Sequence, residues 1–102
     1  MTLRRDDLPD VLRALRALSD ETRFRIVSLL GGRAWSVSDL AEELEVPQPQ
    51  VSFHLRTLKS AGLVGARKDG KWVHYSINER MLTTLEQTLG RLVPEFQTLR
   101  RP

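Results

Sequence analysis

Two short amphipathic runs, one over residues 37–44 and one over residues 48–61, are separated only by Glu45-Val46-Pro47. Proline disfavours helical backbone in the residue before it, so the two runs cannot merge into one long helix. Ser36-Val37-Ser38-Asp39 has capping-box spacing, in which Ser36 and Asp39 satisfy each other's free backbone N–H groups. The first run therefore starts near residue 37 and turns Val37, Leu40, Ala41 and Leu44 inward. In the second, Pro49 fits the first turn and Gly62 stops the helix. Two helices joined by a turn of about three or four residues form a helix-turn-helix unit.

The flanking segments extend this unit. Leu8, Val11, Leu12, Leu15 and Leu18 recur at helical spacing on one stripe of roughly 120°, with Arg13, Arg16 and Ala17 elsewhere and Pro9 in the first turn. Ser19 and Asp20 interrupt that helix and can cap a second, which runs through Phe24, Ile26, Val27, Leu29 and Leu30 to Gly31-Gly32. After the helix-turn-helix, residues 63–68 and 71–77 read as strands joined by Asp69-Gly70, both of which tolerate positive φ. In the second strand Val73, Tyr75 and Ile77 are expected to face the core. Asn78 can cap a last helix that carries Met81, Leu82, Leu85, Leu89, Leu92 and Val93 on one face, with Pro94 kinking or ending it. The expected fold is mainly α with a β-hairpin wing (α+β), a winged helix-turn-helix with an extra helix at each end.

At 102 residues this is one small domain, expected over 1–102. A hydrophobic fraction of 40% is too high for a disordered chain, yet so short a chain is marginal alone and gains from a second copy. The terminal stripes supply the surface: Leu8, Val11, Leu12 and Leu15 at one end, and Leu82, Leu85, Leu89 and Leu92 at the other, are the expected homodimer interface. No run reaches the roughly 18–20 apolar residues of a membrane span. Met1-Thr2-Leu3-Arg4-Arg5-Asp6-Asp7 lacks a signal-peptide core, so a cytoplasmic home with no membrane partner is expected. The absence of cysteine removes disulfides, thiol chemistry and thiolate metal sites. Without a cysteine nucleophile, a phosphate-cradling glycine loop or a His-carboxylate metal pattern, an enzyme is not expected. Neither is a cofactor.

Charge is unevenly placed. Residues 1–50 hold seven arginines against nine carboxylates, whereas residues 51–102 hold nine basic residues against four acids. Within 46–77 Arg56, Lys59, Arg67, Lys68 and Lys71 face only Asp69. Such a block on a helix-turn-helix suits duplex DNA. With about 100° between successive residues, Val51, Leu55 and Leu58 cluster on one face of the second helix, and Gln50, Phe53, Arg56, Thr57 and Ser60 lie opposite. Gln48 and Gln50 can bond adenine N6 and N7, and Phe53 can pack on a thymine methyl. Ser52, Arg56 and Thr57 suit phosphates, as do Arg67, Lys68 and Lys71 of the wing. His54 is expected at the core edge, and His74 on an exposed strand face within reach of a phosphate.

The stretches Leu18-Ser-Asp-Glu-Thr-Arg-Phe-Arg-Ile-Val-Ser-Leu-Leu30, Ser38-Asp-Leu-Ala-Glu-Glu-Leu44, Val51-Ser-Phe-His-Leu-Arg-Thr-Leu-Lys-Ser-Ala-Gly-Leu-Val64 and Asp69-Gly-Lys-Trp-Val-His-Tyr-Ser-Ile77 closely resemble the ArsR-type family of bacterial repressors. The resemblance implies a homodimer on a palindromic operator that commonly leaves DNA when an inducer binds. It also implies base reading by Gln48, Gln50, Ser52 and Phe53. The family's sensing sites are where this chain departs. Arsenic-sensing members carry Cys-x-Cys where this chain has Ser36-Val37-Ser38, and serine is a poor ligand for a thiophilic ion. Zinc-sensing members use carboxylates and histidines on the last helix, where residues 79–93 offer Glu79 and Glu86 but no histidine or aspartate.

The expected function is therefore a dimeric, sequence-specific regulator, a repressor, whose inducer is neither a thiophilic metal nor an oxidant. The alternatives are a non-specific architectural DNA binder and a winged-helix protein-interaction module.

Overall fold

The computed structural model describes residues 7–93. The expectations about Met1-Thr2-Leu3-Arg4-Arg5 and Pro94 lie outside the described residues. Eight elements follow in order: α1 (Leu8–Leu18), α2 (Glu21–Leu30), β1 (Trp35–Ser36), α3 (Val37–Leu44), α4 (Gln48–Ser60), β2 (Val64–Asp69), β3 (Trp72–Ile77) and α5 (Glu79–Gly90). The strands form one antiparallel sheet in the order β1-β3-β2. The helix-turn-helix, the wing and both terminal helices stand as expected.

Local chemistry sets the boundaries. Asp20 caps α2 by accepting the Arg23 backbone N–H at 3.0 Å, and Asn78 caps α5 by accepting from Met81 N–H at 3.4 Å. Ser36 Oγ accepts the Asp39 N–H at 3.2 Å and lies 3.2 Å from Ser38 Oγ. The capping box is thus half made, because Asp39 returns no bond to the Ser36 N–H among the described residues. Helix α4 ends in a Schellman arrangement: Gly62 N–H donates to Lys59 O and Leu63 N–H to Leu58 O, both at 3.0 Å. Gly62 holds φ +77° there, and fully buried Leu58 and Leu63 supply the accompanying apolar pair.

The core gathers Val11, Ala14 and Ala17 of α1, Ile26 and Leu30 of α2, and Leu40, Ala41 and Leu44 of α3. Val51, Leu55 and Leu58 of α4, with Leu63, Val64 and Leu85, complete it. Each fully buried aliphatic side chain contributes about 1.5–3 kcal/mol relative to its exposed state. Among the described residues no helix is long and apolar enough to cross a membrane.

Several expectations need correction. Strand β1 was not anticipated; Trp35 pairs with Tyr75 and Ser36 with His74. The hairpin register sets Asp69 opposite Trp72, so the two turn residues are Gly70-Lys71 rather than Asp69-Gly70. Gly70 alone of that pair has positive φ, +64°, which suits a two-residue loop with glycine first. Tyr75 and Ile77 pack on the core, but Val73 lies near the hairpin tip, beyond the core's reach, and is exposed. Helix α5 ends at Gly90, leaving Leu92 and Val93 beyond it.

The terminal stripes are also shifted. The buried arc of α1 runs through Val11, Ala14 and Ala17, rotated away from the expected leucine stripe so that Ala17 faces in while Leu8 and Leu12 face out. Alanines at those positions let the α1 backbone approach its neighbours closely. Val11 and Leu85 are accordingly buried in the protomer's own core and Leu15 and Leu82 half-buried against it. In the single protomer these four therefore present little open apolar surface. Leu12 (43% exposed), Leu89 (46%) and Leu92 (66%), with Leu8 and Val93, remain uncovered.

Candidate nucleic-acid interface

Helix α4 begins without a side-chain cap, and proline chemistry removes most of the need for one. Pro47 and Pro49 have no N–H, and Gln50 N–H donates to Pro47 O at 3.0 Å. The turn before it depends on Glu45, the one non-glycine residue with positive φ among those described (φ +56°, ψ +45°). That left-handed corner lets α3 stop and α4 leave in a new direction.

Packing then fixes which side of α4 is available. Val51, Leu55 and Leu58 are wholly buried, so the opposite side must face outward. Gln48, Gln50, Arg56 and Ser60 are exposed there, and Ser52 and Thr57 are half-buried on the flanks. Phe53 remains 54% exposed despite its apolar ring. It meets His54 edge-on at 5.5 Å and borders a groove between α1 and α4. Thr57 Oγ1 donates to Phe53 O at 3.3 Å, so its hydroxyl proton is engaged by its own helix.

The wing presents Arg67, Lys68 and Lys71, all exposed. Arg67 and Lys68 are successive strand residues, opposite His74 and Val73, and so project to opposite faces of the hairpin, while Lys71 occupies the tip. Among the described residues, none of Arg56, Arg67, Lys68 and Lys71 has a carboxylate partner, whereas Arg13 pairs with Asp10 at 3.7 Å.

Sequence reasoning missed three arginines beside α4. Arg13 and Arg16 of α1 and Arg23 of α2 line the same groove as Phe53 and Arg56, a cavity of about 560 Å³. Arg23 is engaged: its Nε donates to Ala17 O at 2.7 Å and its Nη1 lies 3.2 Å from His54 Nδ1. The available signal was that Arg13 and Arg16 share a helix side away from the leucine stripe, but only the α1–α4 packing shows what they face.

The two histidines are separated, His54 on α4 and His74 half-buried on β3. Among the described residues no group of three or more His, Cys, Asp or Glu is gathered so as to hold a metal ion. Trp35 has a structural role: its Nε1 donates to Leu29 O at 3.1 Å and the Arg33 guanidinium stacks 3.7 Å over its ring.

A family described as a helix-turn-helix domain matches residues 18–64, from the end of α1 to the start of β2. Transcriptional repressor SdpR of Bacillus subtilis (strain 168) is 36% identical over 67 residues, covering 66% of this chain and 74% of that protein. An ArsR-like transcriptional regulator from Rhodococcus sp. RHA1 superposes with a TM-score of 0.79 at 32% identity, over 91% of this chain and 88% of that one. The homodimeric winged helix-turn-helix DNA-binding domain of a possible ArsR-family regulator from Mycobacterium bovis gives 0.71 at 29% identity, over 93% and 91%. With its helix-turn-helix, hairpin wing and flanking helices, this chain belongs to the ArsR-type family of winged helix-turn-helix transcriptional regulators.

Proposed function

We propose that the protein is a homodimeric, sequence-specific repressor that binds a palindromic operator in duplex DNA. The observation that carries this reading is the division of α4: one side wholly buried, the other offering Gln48, Gln50 and Phe53 rather than a row of cations. An electrostatic binder has no need of amides and an aromatic ring there. Glutamine bonds the adenine edge with two hydrogen bonds, and an apolar ring covers a thymine methyl. Ser52 joins these residues at the base edges. Arg56, Arg67, Lys68 and Lys71 hold phosphates and set register, and Thr57 joins them by turning its hydroxyl proton from Phe53 O to a phosphate oxygen.

Two copies join through the terminal helices. Leu8, Leu12, Leu89 and Leu92 provide the uncovered apolar surface, while Val11, Leu15, Leu82 and Leu85 support it from beneath. The homodimeric Mycobacterium bovis domain supports a two-copy assembly. The dimer sets its recognition helices about 34–36 Å apart, one duplex turn, or a multiple of it. An inducer acts by changing that separation through the terminal helices. Arg23 provides the link from α1 to α4, because it bonds Ala17 O and His54 together.

Selection of bound sequences from a random duplex pool, with the mass of the protein in solution measured alongside, tests this. A twofold-symmetric consensus bound by a dimer is expected, and Leu12→Glu should give a monomer that selects poorly. Recovery of unrelated sequences, or a monomer with full selectivity, contradicts it.

A further inference from the structure

The groove between α1 and α4 presents more positive charge than reading bases requires. Four guanidinium groups border it, Arg13, Arg16 and Arg23 from the first two helices and Arg56 from α4, around Phe53, Ala17 and Ala61. Arg23 is committed to Ala17 O and His54, and Arg13 makes one exposed contact to Asp10. Among the described residues the guanidinium groups of Arg16 and Arg56 have no hydrogen-bond or ion-pair partner. Gathering four like charges around one cleft is unfavourable unless an anion is brought to it. The apolar floor strengthens the attraction, because a cleft of one charge sign with low-dielectric walls concentrates the field. Guanidinium also matches the geometry of phosphate oxygens better than ammonium does.

The position of the groove identifies the anion. It lies along Phe53, Arg56, Thr57 and Ser60, the central and C-terminal part of the outer side of the helix that begins with Gln48 and Gln50. Ten residues of helix separate Gln50 from Ser60, roughly 15 Å of rise, comparable with the width of the major groove that receives such a helix. A helix seated in that groove must have backbone beside it.

We propose that Arg13 and Arg16 of α1, acting with Arg56, hold the DNA phosphate backbone beside the recognition helix, making α1 a DNA-contacting element as well as a dimerisation helix. This rests on the DNA-binding reading above and extends it to a helix outside the helix-turn-helix and the wing. The contact carries no base preference. Its effect is affinity, register and salt dependence, since each neutralised phosphate releases counterions and adds about 0.9 to the slope of log K against log salt.

The test is salt-dependent binding of the full chain to one duplex with Arg13→Ala/Arg16→Ala, with Arg13→Lys/Arg16→Lys, and with Arg33→Ala as control. Arg33 lies over Trp35, away from the groove. Both groove positions are exposed, so thermal unfolding midpoints should remain close to that of the parent. The slope should become shallower by about two in the alanine pair, with affinity at physiological salt lowered about 10–100-fold and the selected base sequence unchanged. The lysine pair should recover most of the slope, and Arg33→Ala should leave it alone. An unchanged slope in the alanine pair, an equal loss in Arg33→Ala, or an altered base preference overturns the proposal. If the parent holds every duplex equally, sequence-specific repression fails while the slope comparison still decides the role of α1. A parent that binds no duplex at any salt overturns both.

Discussion

Arg23 places Nη1 3.2 Å from His54 Nδ1 while its Nε donates to Ala17 O at 2.7 Å, so one side chain joins the ends of α1 and α2 to the middle of α4. Arginine only donates, so Nδ1 must accept and the ring proton must reside on Nε2. The side chain is half-buried, which makes both bonds worth more than at an open surface. Arg23→Ala should lower stability by about 2 kcal/mol in urea unfolding. Arg23→Lys should recover less than half, because one ammonium cannot span both acceptors. A loss below about 0.5 kcal/mol in Arg23→Ala would show that the bridge is incidental.

Asp20 gives a pH-dependent prediction. The Arg23 backbone N–H it accepts holds its carboxyl below the ordinary 3.8, with desolvation opposing and the charge of Arg23 assisting. The folded state therefore binds fewer protons than the unfolded one around that range. The stabilisation is complete above the ordinary carboxylate value and disappears as pH falls through the depressed one. Asp20→Ala should cost about 1 kcal/mol at pH 7, the usual worth of a helix N-cap. That difference should narrow below pH about 4, and a constant gap down to pH 2 would contradict the assignment.

Glu45 occupies left-handed backbone at the corner between α3 and α4, where a Cβ costs about 1–2 kcal/mol. Part of that gain is offset in a glycine variant by the freedom glycine has in the unfolded chain. Glu45→Gly should still stabilise the fold by about 0.5–1 kcal/mol, raising the thermal midpoint by a few degrees. A lowered midpoint would mean that the Glu45 side chain contributes more than its backbone costs.

Much of this arrangement was legible in the sequence, and its failures have identifiable causes. The α3–α4 corner was announced by Pro47, the α2 and α5 caps by Asp20 and Asn78, and the buried side of α4 by Val51, Leu55 and Leu58. Strand β1 was not, because two residues establish no periodicity and Trp35 joins the sheet only through its partner Tyr75. The turn was displaced by one residue because register, not dipeptide preference, decides which pair sits at the tip. The leucines of α1 overstated its inward face, since Ala14 and Ala17 bring backbones together where leucine would not fit. The arginine groove was invisible for a related reason. Arg13 and Arg16 are ordinary surface cations until α1 packs beside α4.

Phe53 is exposed where burial would otherwise be favoured, and the base contact proposed for it can be tested directly. Phe53→Ala should relax preference for A·T pairs at one position in each half-site, by about 1 kcal/mol or roughly fivefold, with little change in salt slope. Gln50→Ala should relax a neighbouring position by a similar or larger factor. If neither substitution alters the selected sequence, base reading lies elsewhere on the protein.

The ratio of dissociation constants for a selected duplex and a scrambled one of the same length, measured at physiological ionic strength, bears most directly on the outward side of α4 as a reader of base order. A ratio of about 10³ or more is expected, falling sharply when Gln48, Gln50 and Phe53 are replaced together by alanine. A ratio near one for the parent dimer would contradict the account.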